Sequence, residues 1–222
     1  MTCSIGSLPT YSKGEEIVNS STHFLGTIFS FGITLFFAIF QVSHSISFVN
    51  MIPFYVYALF LGTMFTISGI YHSRPFNSKA RAIFRIIDHS DIYFCIAGTY
   101  TPLCIYAISN HTIAITLLCV NWGLCIAGAI LNLIKADKLF ISIISYVLYV
   151  LCGWLVMIVY PFGLGIPFNV FLFILIGGIL YTIGAVLYAI GRKGKWLHSI
   201  FHVFVLLGAA TQFVGVYFIL VS

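Results

Sequence analysis

Seven apolar runs order this sequence, at 24–43, 53–72, 89–109, 112–134, 139–160, 168–190 and 198–221. Each is close to the ~20 residues that an α-helix needs to cross ~30 Å of hydrocarbon. The pattern predicts an all-α, multi-pass membrane protein with seven transmembrane helices. A short polar segment, 1–23, precedes one membrane domain, 24–222. The stretch Pro161-Phe-Gly-Leu-Gly-Ile-Pro167 reads as a turn, because proline removes a donor and glycine relaxes the backbone. Thr99-Tyr-Thr-Pro102 predicts a kink in the third run, with threonine hydroxyls available to the freed carbonyls. Gly177, Gly178 and Gly184 predict a close helix contact in the sixth.

Composition agrees with this reading. Of 222 residues, 61% are hydrophobic and 7% charged, whereas a soluble domain carries about a quarter charged residues. The mean hydropathy is +1.10. The basic residues test the span count. Lys13 lies in the N-terminal segment, Arg74, Lys79, Arg81 and Arg85 in the second loop, Lys135 and Lys138 in the fourth, and Arg192, Lys193 and Lys195 in the sixth. These are all ten Lys and Arg of the chain, and alternate loops hold none. By the positive-inside rule the N-terminus is cytoplasmic and the C-terminus outside. The net charge of +5 therefore reads as topology, and no nucleic-acid partner is expected. The six cysteines contain no C-x-x-C, and all but Cys3 fall in apolar runs, so they read as reduced, small hydrophobes. No cleavable signal peptide is expected.

Counting spans brings distant residues to one membrane level. His72 closes the second run, Asp88 precedes the third, and His198 and His202 open the seventh, all near the cytoplasmic face. His198 and His202 are one helical turn apart, close enough to share a metal ion, and imidazole suits Zn²⁺. The competing reading is a hydrogen-bonded pair near the interface. His72 offers a third imidazole, and three protein ligands with an open position is the arrangement of a catalytic zinc. Asp88 either takes a proton from water acidified by the metal, or is a helix-cap carboxylate paired with Arg85. Ser68, one turn from His72, either polarises a substrate carbonyl and orients a ligand, or packs helices. Asp91 has no role that the sequence assigns. His89 lies ~100° around the helix from Asp88 and need not face the same site. His23, His44 and His111 fall at span ends, where an interfacial polar residue is ordinary.

These signatures resemble the haemolysin III family of bacterial seven-span proteins, relatives of the adiponectin and progestin receptors. The resemblance covers nearly the whole chain. It rests on Gly14-Glu-Glu-Ile-Val-Asn-Ser-Ser-Thr-His23, Ser68-x-x-x-His72, Asp88-His-Ser-Asp-Ile-Tyr93 running into Ala97-Gly-Thr-Tyr-Thr-Pro102, and His198-Ser-Ile-Phe-His-Val-Phe204. It implies a Zn²⁺ ion held by His72, His198 and His202, with Asp88 meeting the metal through water and Ser68 beside it. Asp91 departs from the family pattern, where a small or neutral residue is expected. The wider superfamily includes alkaline ceramidases.

The function expected on these grounds is a zinc-dependent hydrolase of a lipid amide or ester, with Asp88 and Ser68 catalytic and a membrane lipid as substrate. The alternatives are a membrane-lytic, pore-forming protein and a receptor-like protein with a structural zinc. The family and the compact loops point to the bacterial inner membrane. The oligomeric state and the substrate head group stay open.

Overall fold

The computed structural model describes residues 11–135, 139–191 and 194–222. Cys3, Lys138, Arg192 and Lys193, used above, lie outside the described residues. Seven α-helices follow one another: α1 Lys13–Ser43, α2 Phe48–Ser73, α3 Lys79–Pro102, α4 His111–Lys135, α5 Leu139–Val159, α6 Phe168–Gly191 and α7 Leu197–Val221. No strand occurs among the described residues. Five of the seven, α1, α2, α4, α6 and α7, are long and apolar enough to cross a membrane. The apolar stretch of α5 runs Ile143–Val159. α3 departs from that composition because Lys79, Arg81, Arg85, Asp88 and Asp91 fall within it.

Two helices begin well before their apolar runs. α1 starts at Lys13, where Ser12 caps it: the Ser12 hydroxyl accepts from the Glu15 N–H, and the Glu15 carboxylate accepts from the Ser12 N–H at 2.9 Å. This reciprocal capping box satisfies two otherwise orphaned donors. The residues expected as a polar segment ahead of the first run, from Lys13 on, are thus part of the same 31-residue helix. α3 starts at Lys79, capped by the Ser78 hydroxyl accepting from Arg81 N–H at 3.1 Å.

Each helix packs against the next, and α7 returns to α1 to close the ring. α3 lies inside, against α2, α4, α5 and α7. On α1 the inward stripe is Glu15, Asn19, His23, Gly26, Ser30, Ile33 and Phe37, polar at one end and apolar at the other. The apolar core therefore sits away from the α1 N-terminus, around Phe37, Phe54, Tyr57, Leu61, Phe65 and Leu103. The opposite face of α1 exposes Ile28, Phe31, Leu35 and Ile39, the surface of a helix meeting lipid.

The predicted kink takes a specific form. After Pro102 the helix widens into a π turn, Leu103–Ala107, and the hydroxyls of Thr99 and Thr101 donate to the carbonyls of Cys95 and Ala97. The predicted turn at 161–167 holds Gly163 and Gly165 at positive φ. Cys104, Cys125 and Cys152 are buried as free thiols, but Cys119 is exposed on α4.

The close helix contact rests on one of the three glycines in particular. A Cβ on Gly177 would lie 2.4 Å from the Gln212 side chain and 3.2 Å from the Gly208 carbonyl, whereas on Gly178 it would meet only Trp154 at 3.9 Å. Gly177→Ala is expected to destabilise the α6–α7 pair by about 1–3 kcal/mol through overpacking. Gly178→Ala should be neutral or stabilise by up to ~1 kcal/mol, since alanine favours helix. Thermal unfolding in detergent checks both; equal midpoints would refute the close contact.

Candidate metal centre

The polar end of the bundle is assembled from the first turns of α1, α3 and α7 and the last turn of α2. Glu16, Asn19 and His23 stand at i, i+3 and i+7, on one face of α1. The Glu16 carboxylate accepts from His72 Nδ1 at 2.7 Å and, through its other oxygen, from the Arg81 guanidinium. Arg81 is 1% exposed, donates to the Arg74 carbonyl at 2.9 Å, and lies 4.8 Å from the Tyr71 ring centroid. The Asn19 amide lies 3.5 Å from His72 Nδ1, and its oxygen accepts from Ser199 on α7 at 2.7 Å. Glu15 fixes α7 a second way, accepting from the Trp196 N–H at 2.7 Å. Trp196 holds a left-handed φ of 66°, a conformation that costs a non-glycine residue ~1 kcal/mol.

Within this frame the three histidines converge. His198 Nε2 lies 3.2 Å from His72 Nε2 and 3.0 Å from His202 Nε2. The ligand atoms of all three fall within 4.8 Å of one another, and all three side chains are buried. Tyr11 stacks on His198 with ring centroids 4.6 Å apart. His23, expected at a span end, is instead 3% exposed and packs on His202 with centroids 3.8 Å apart. Neither of its ring nitrogens has a hydrogen-bond partner among the described residues.

The donor chemistry of this trio fits a cation. Glu16, ionised against Arg81, can only accept, so His72 Nδ1 carries the proton and His72 Nε2 presents a lone pair. His198 Nε2 faces that lone pair and His202 Nε2 at once. A single N–H on His198 cannot be well directed at both, and without one it sets lone pair against lone pair. No tautomer set satisfies both contacts well, whereas a metal ion uses all three lone pairs. For Zn–N bonds of 2.0–2.1 Å, tetrahedral ligands stand about 3.3–3.4 Å apart, close to the separations of His198 from His72 and from His202. The carboxylate behind His72 is the usual device for orienting an imidazole ligand.

Ser68 is 3% exposed on α2, one turn from His72, with its hydroxyl near the Asp88 carboxyl. Asp88 is the tenth residue of α3, so it does not cap that helix, and no ion pair joins it to Arg85. Its neighbour His89 has Nδ1 3.6 Å from the Asp88 carboxyl and 2.9 Å from the Arg85 carbonyl, and Nε2 2.9 Å from the Tyr188 hydroxyl. Asp91 is 7% exposed, lies near Thr63, and leaves one oxygen without a partner among the described residues. His44 and His111 lie on the exterior. Sequence reasoning missed Glu16, Asn19 and His23 as site residues. Their i, i+3, i+7 spacing behind a Ser-x-x-Glu cap carried the signal.

The sequence profile described as "Haemolysin-III related" matches residues 11–213. The chain belongs to the haemolysin III family. It is 34% identical over 205 residues to the "Hemolysin-3 homolog" of Bacillus subtilis (strain 168), covering 92% of this chain and 93% of that one. It is likewise 34% identical over 205 residues to "Hemolysin-3" of Bacillus cereus, covering 92% and 91%. With its five membrane-length apolar helices, this haemolysin III protein is an integral membrane protein.

The Glu16–His72 contact generates a direct test. Glu16→Gln keeps the shape but loses the charge that holds the His72 proton on Nδ1. Co²⁺ affinity, read from the visible absorption of the loaded site, is expected to fall roughly 10–100-fold with helix content unchanged. Unchanged affinity would reduce Glu16 to a partner of Arg81 alone.

Proposed function

We propose that this haemolysin III protein is a seven-span, zinc-dependent hydrolase of a lipid amide or ester in the bacterial inner membrane. Its N-terminus is cytoplasmic and its C-terminus outside, in keeping with the division of Lys and Arg among alternate loops. The observation that carries the reading is the convergence of His72, His198 and His202 with a carboxylate behind one ring and a second, separate carboxyl, Asp88, tied to the same helix as His72. Zinc held by the three imidazoles would supply a Lewis acid and acidify water at an open position.

The chain's own residues do the rest. Glu16 keeps the proton of His72 on Nδ1, so Nε2 stays a ligand. Asp88 accepts the proton that the attacking water loses and returns it to the leaving amine or alkoxide. Ser68, whose hydroxyl lies near the Asp88 carboxyl, orients it. The burial of the histidines keeps bulk water from the site, which strengthens each of these electrostatic effects.

A lytic reading is favoured by the names of the relatives, which call those proteins hemolysins. An aqueous pore needs polar residues along its length, whereas the buried charges here, Glu15, Arg81, Arg85 and Asp91, gather at one end of the bundle.

Elemental analysis of detergent-purified protein is expected to give about one zinc per chain in the wild type and in Asp88→Ala, and none in His198→Ala. The wild type should release fatty acid from a panel of lipid amides and esters, and Asp88→Ala should lose roughly 10²–10⁴-fold in rate. Zinc-loaded protein that releases no fatty acid from the panel overturns the hydrolase reading. Leakage of dye from liposomes that persists in His72→Ala puts the lytic reading in its place.

A further inference from the structure

Two arginines one turn apart on α3 have opposite circumstances. The terminal nitrogens of Arg81 donate to Glu16 and to the Arg74 carbonyl, and its guanidinium lies over the rings of Tyr71 and Phe76. Arg85, on the same face, is 8% exposed, yet its guanidinium forms no hydrogen bond or ion pair among the described residues, and its Nε, like that of Arg81, is buried without a partner. It lies in electrostatic reach of Asp88, Tyr71 and Tyr188. The Tyr188 ring in turn packs on the ligand His198, with centroids 5.4 Å apart. Arg85 thus lies on the Asp88 and Tyr188 side of the polar end.

A buried guanidinium is costly unless an acceptor uses its donors. The terminal nitrogens of Arg81 have acceptors, whereas those of Arg85 have none among the described residues. The planar fork of donors matches a carboxylate or phosphate bidentately, which neither a hydroxyl nor an amide can do. The Asp88 carboxyl, i+3 along the helix, does not take this place, and no other acceptor among the described residues does.

We propose that Arg85 anchors an oxyanion subsite beside the metal centre, taking the carboxylate or phosphate group of an anionic lipid. The subsite assigns a substrate class to this protein: a lipid whose acidic group docks on Arg85 while its scissile carbonyl lies at the histidines. That the ligand is a substrate rests on the hydrolase reading above. That Arg85 binds an oxyanion does not.

The test uses the full-length, zinc-loaded protein in nanodiscs of neutral phosphatidylcholine. The probes are two fluorescent twelve-carbon chains, identical except that one ends in a carboxylate and the other in a primary amide. The wild type is expected to bind the carboxylate at least about tenfold more tightly than the amide. Arg85→Gln should abolish that preference while keeping its zinc, and Arg85→Lys should recover part of it, since it restores charge without the fork. Competition then separates the sources. Displacement by oleate but not by inorganic phosphate assigns a lipid head group; displacement by inorganic phosphate alone assigns a free anion and overturns the lipid part. Equal binding of the two probes by the wild type overturns the subsite altogether, whether or not the variants fold. Retained, Arg85-dependent binding in a protein that hydrolyses nothing would sink only the hydrolase reading.

Discussion

The carboxylate of Glu16, shared between the imidazole of His72 on α2 and the guanidinium of Arg81 on α3, is the contact on which the polar end of this bundle depends. It sits on the first turns of α1, so one side chain ties three helices together at the level where the histidines meet. Each participant satisfies what another requires. Arg81 keeps Glu16 ionised, the ionised carboxylate holds the proton on the distal nitrogen of His72, and that proton leaves the proximal nitrogen as a lone pair. A packing contact between three helices therefore decides the protonation state of a ligand.

This arrangement also shows which parts of the fold were legible in the sequence. The seven apolar runs are visible because a lipid-facing helix is apolar on nearly every side. Their order placed His72, His198 and His202 at one depth, over 120 residues of sequence apart. The first turns of α1 and α3 were not legible in the same way. Their polar residues were read as facing water, but Asn19, His23, Arg81 and Arg85 point into the bundle, where a hydropathy scale cannot distinguish them from a loop. A capping box at Ser12 and the i, i+3, i+7 spacing of Glu16, Asn19 and His23 mark a helix with a polar inner face, which is a different signal from apolarity. Of the two readings of Asp88, the pair with Arg85 does not form. An i, i+3 spacing permits contact on a helix, but only tertiary packing decides whether it is made.

The N-terminal turn completes the enclosure of the site. Tyr11 stacks on His198, and Glu15 accepts from the backbone of Trp196 directly before α7. The same Glu15 carboxylate closes the cap of α1 on Ser12. The cap of one helix is thereby bonded to the entry of another, and Trp196 stays in a left-handed conformation that an unanchored residue would leave. Asn19 adds a second tie through Ser199. Rigid placement of the two histidines on α7 against the one on α2 follows from these bonds more than from the apolar core, which lies deeper in the bundle.

Charge gives the last constraint. Among the described residues, the polar end buries or half-buries the acids Glu15, Glu16, Asp88 and Asp91 against the guanidiniums of Arg81 and Arg85. The histidines add no charge as ligands, and a divalent cation at the three imidazoles would sit among these carboxyls in a low-dielectric setting. Charge at long range does not satisfy donors at short range, however. The guanidinium of Arg85 meets no acceptor among the described residues. Directional hydrogen bonding, rather than net charge, is therefore what distinguishes it from Arg81, and a planar or tetrahedral oxyanion is the chemistry that answers that geometry.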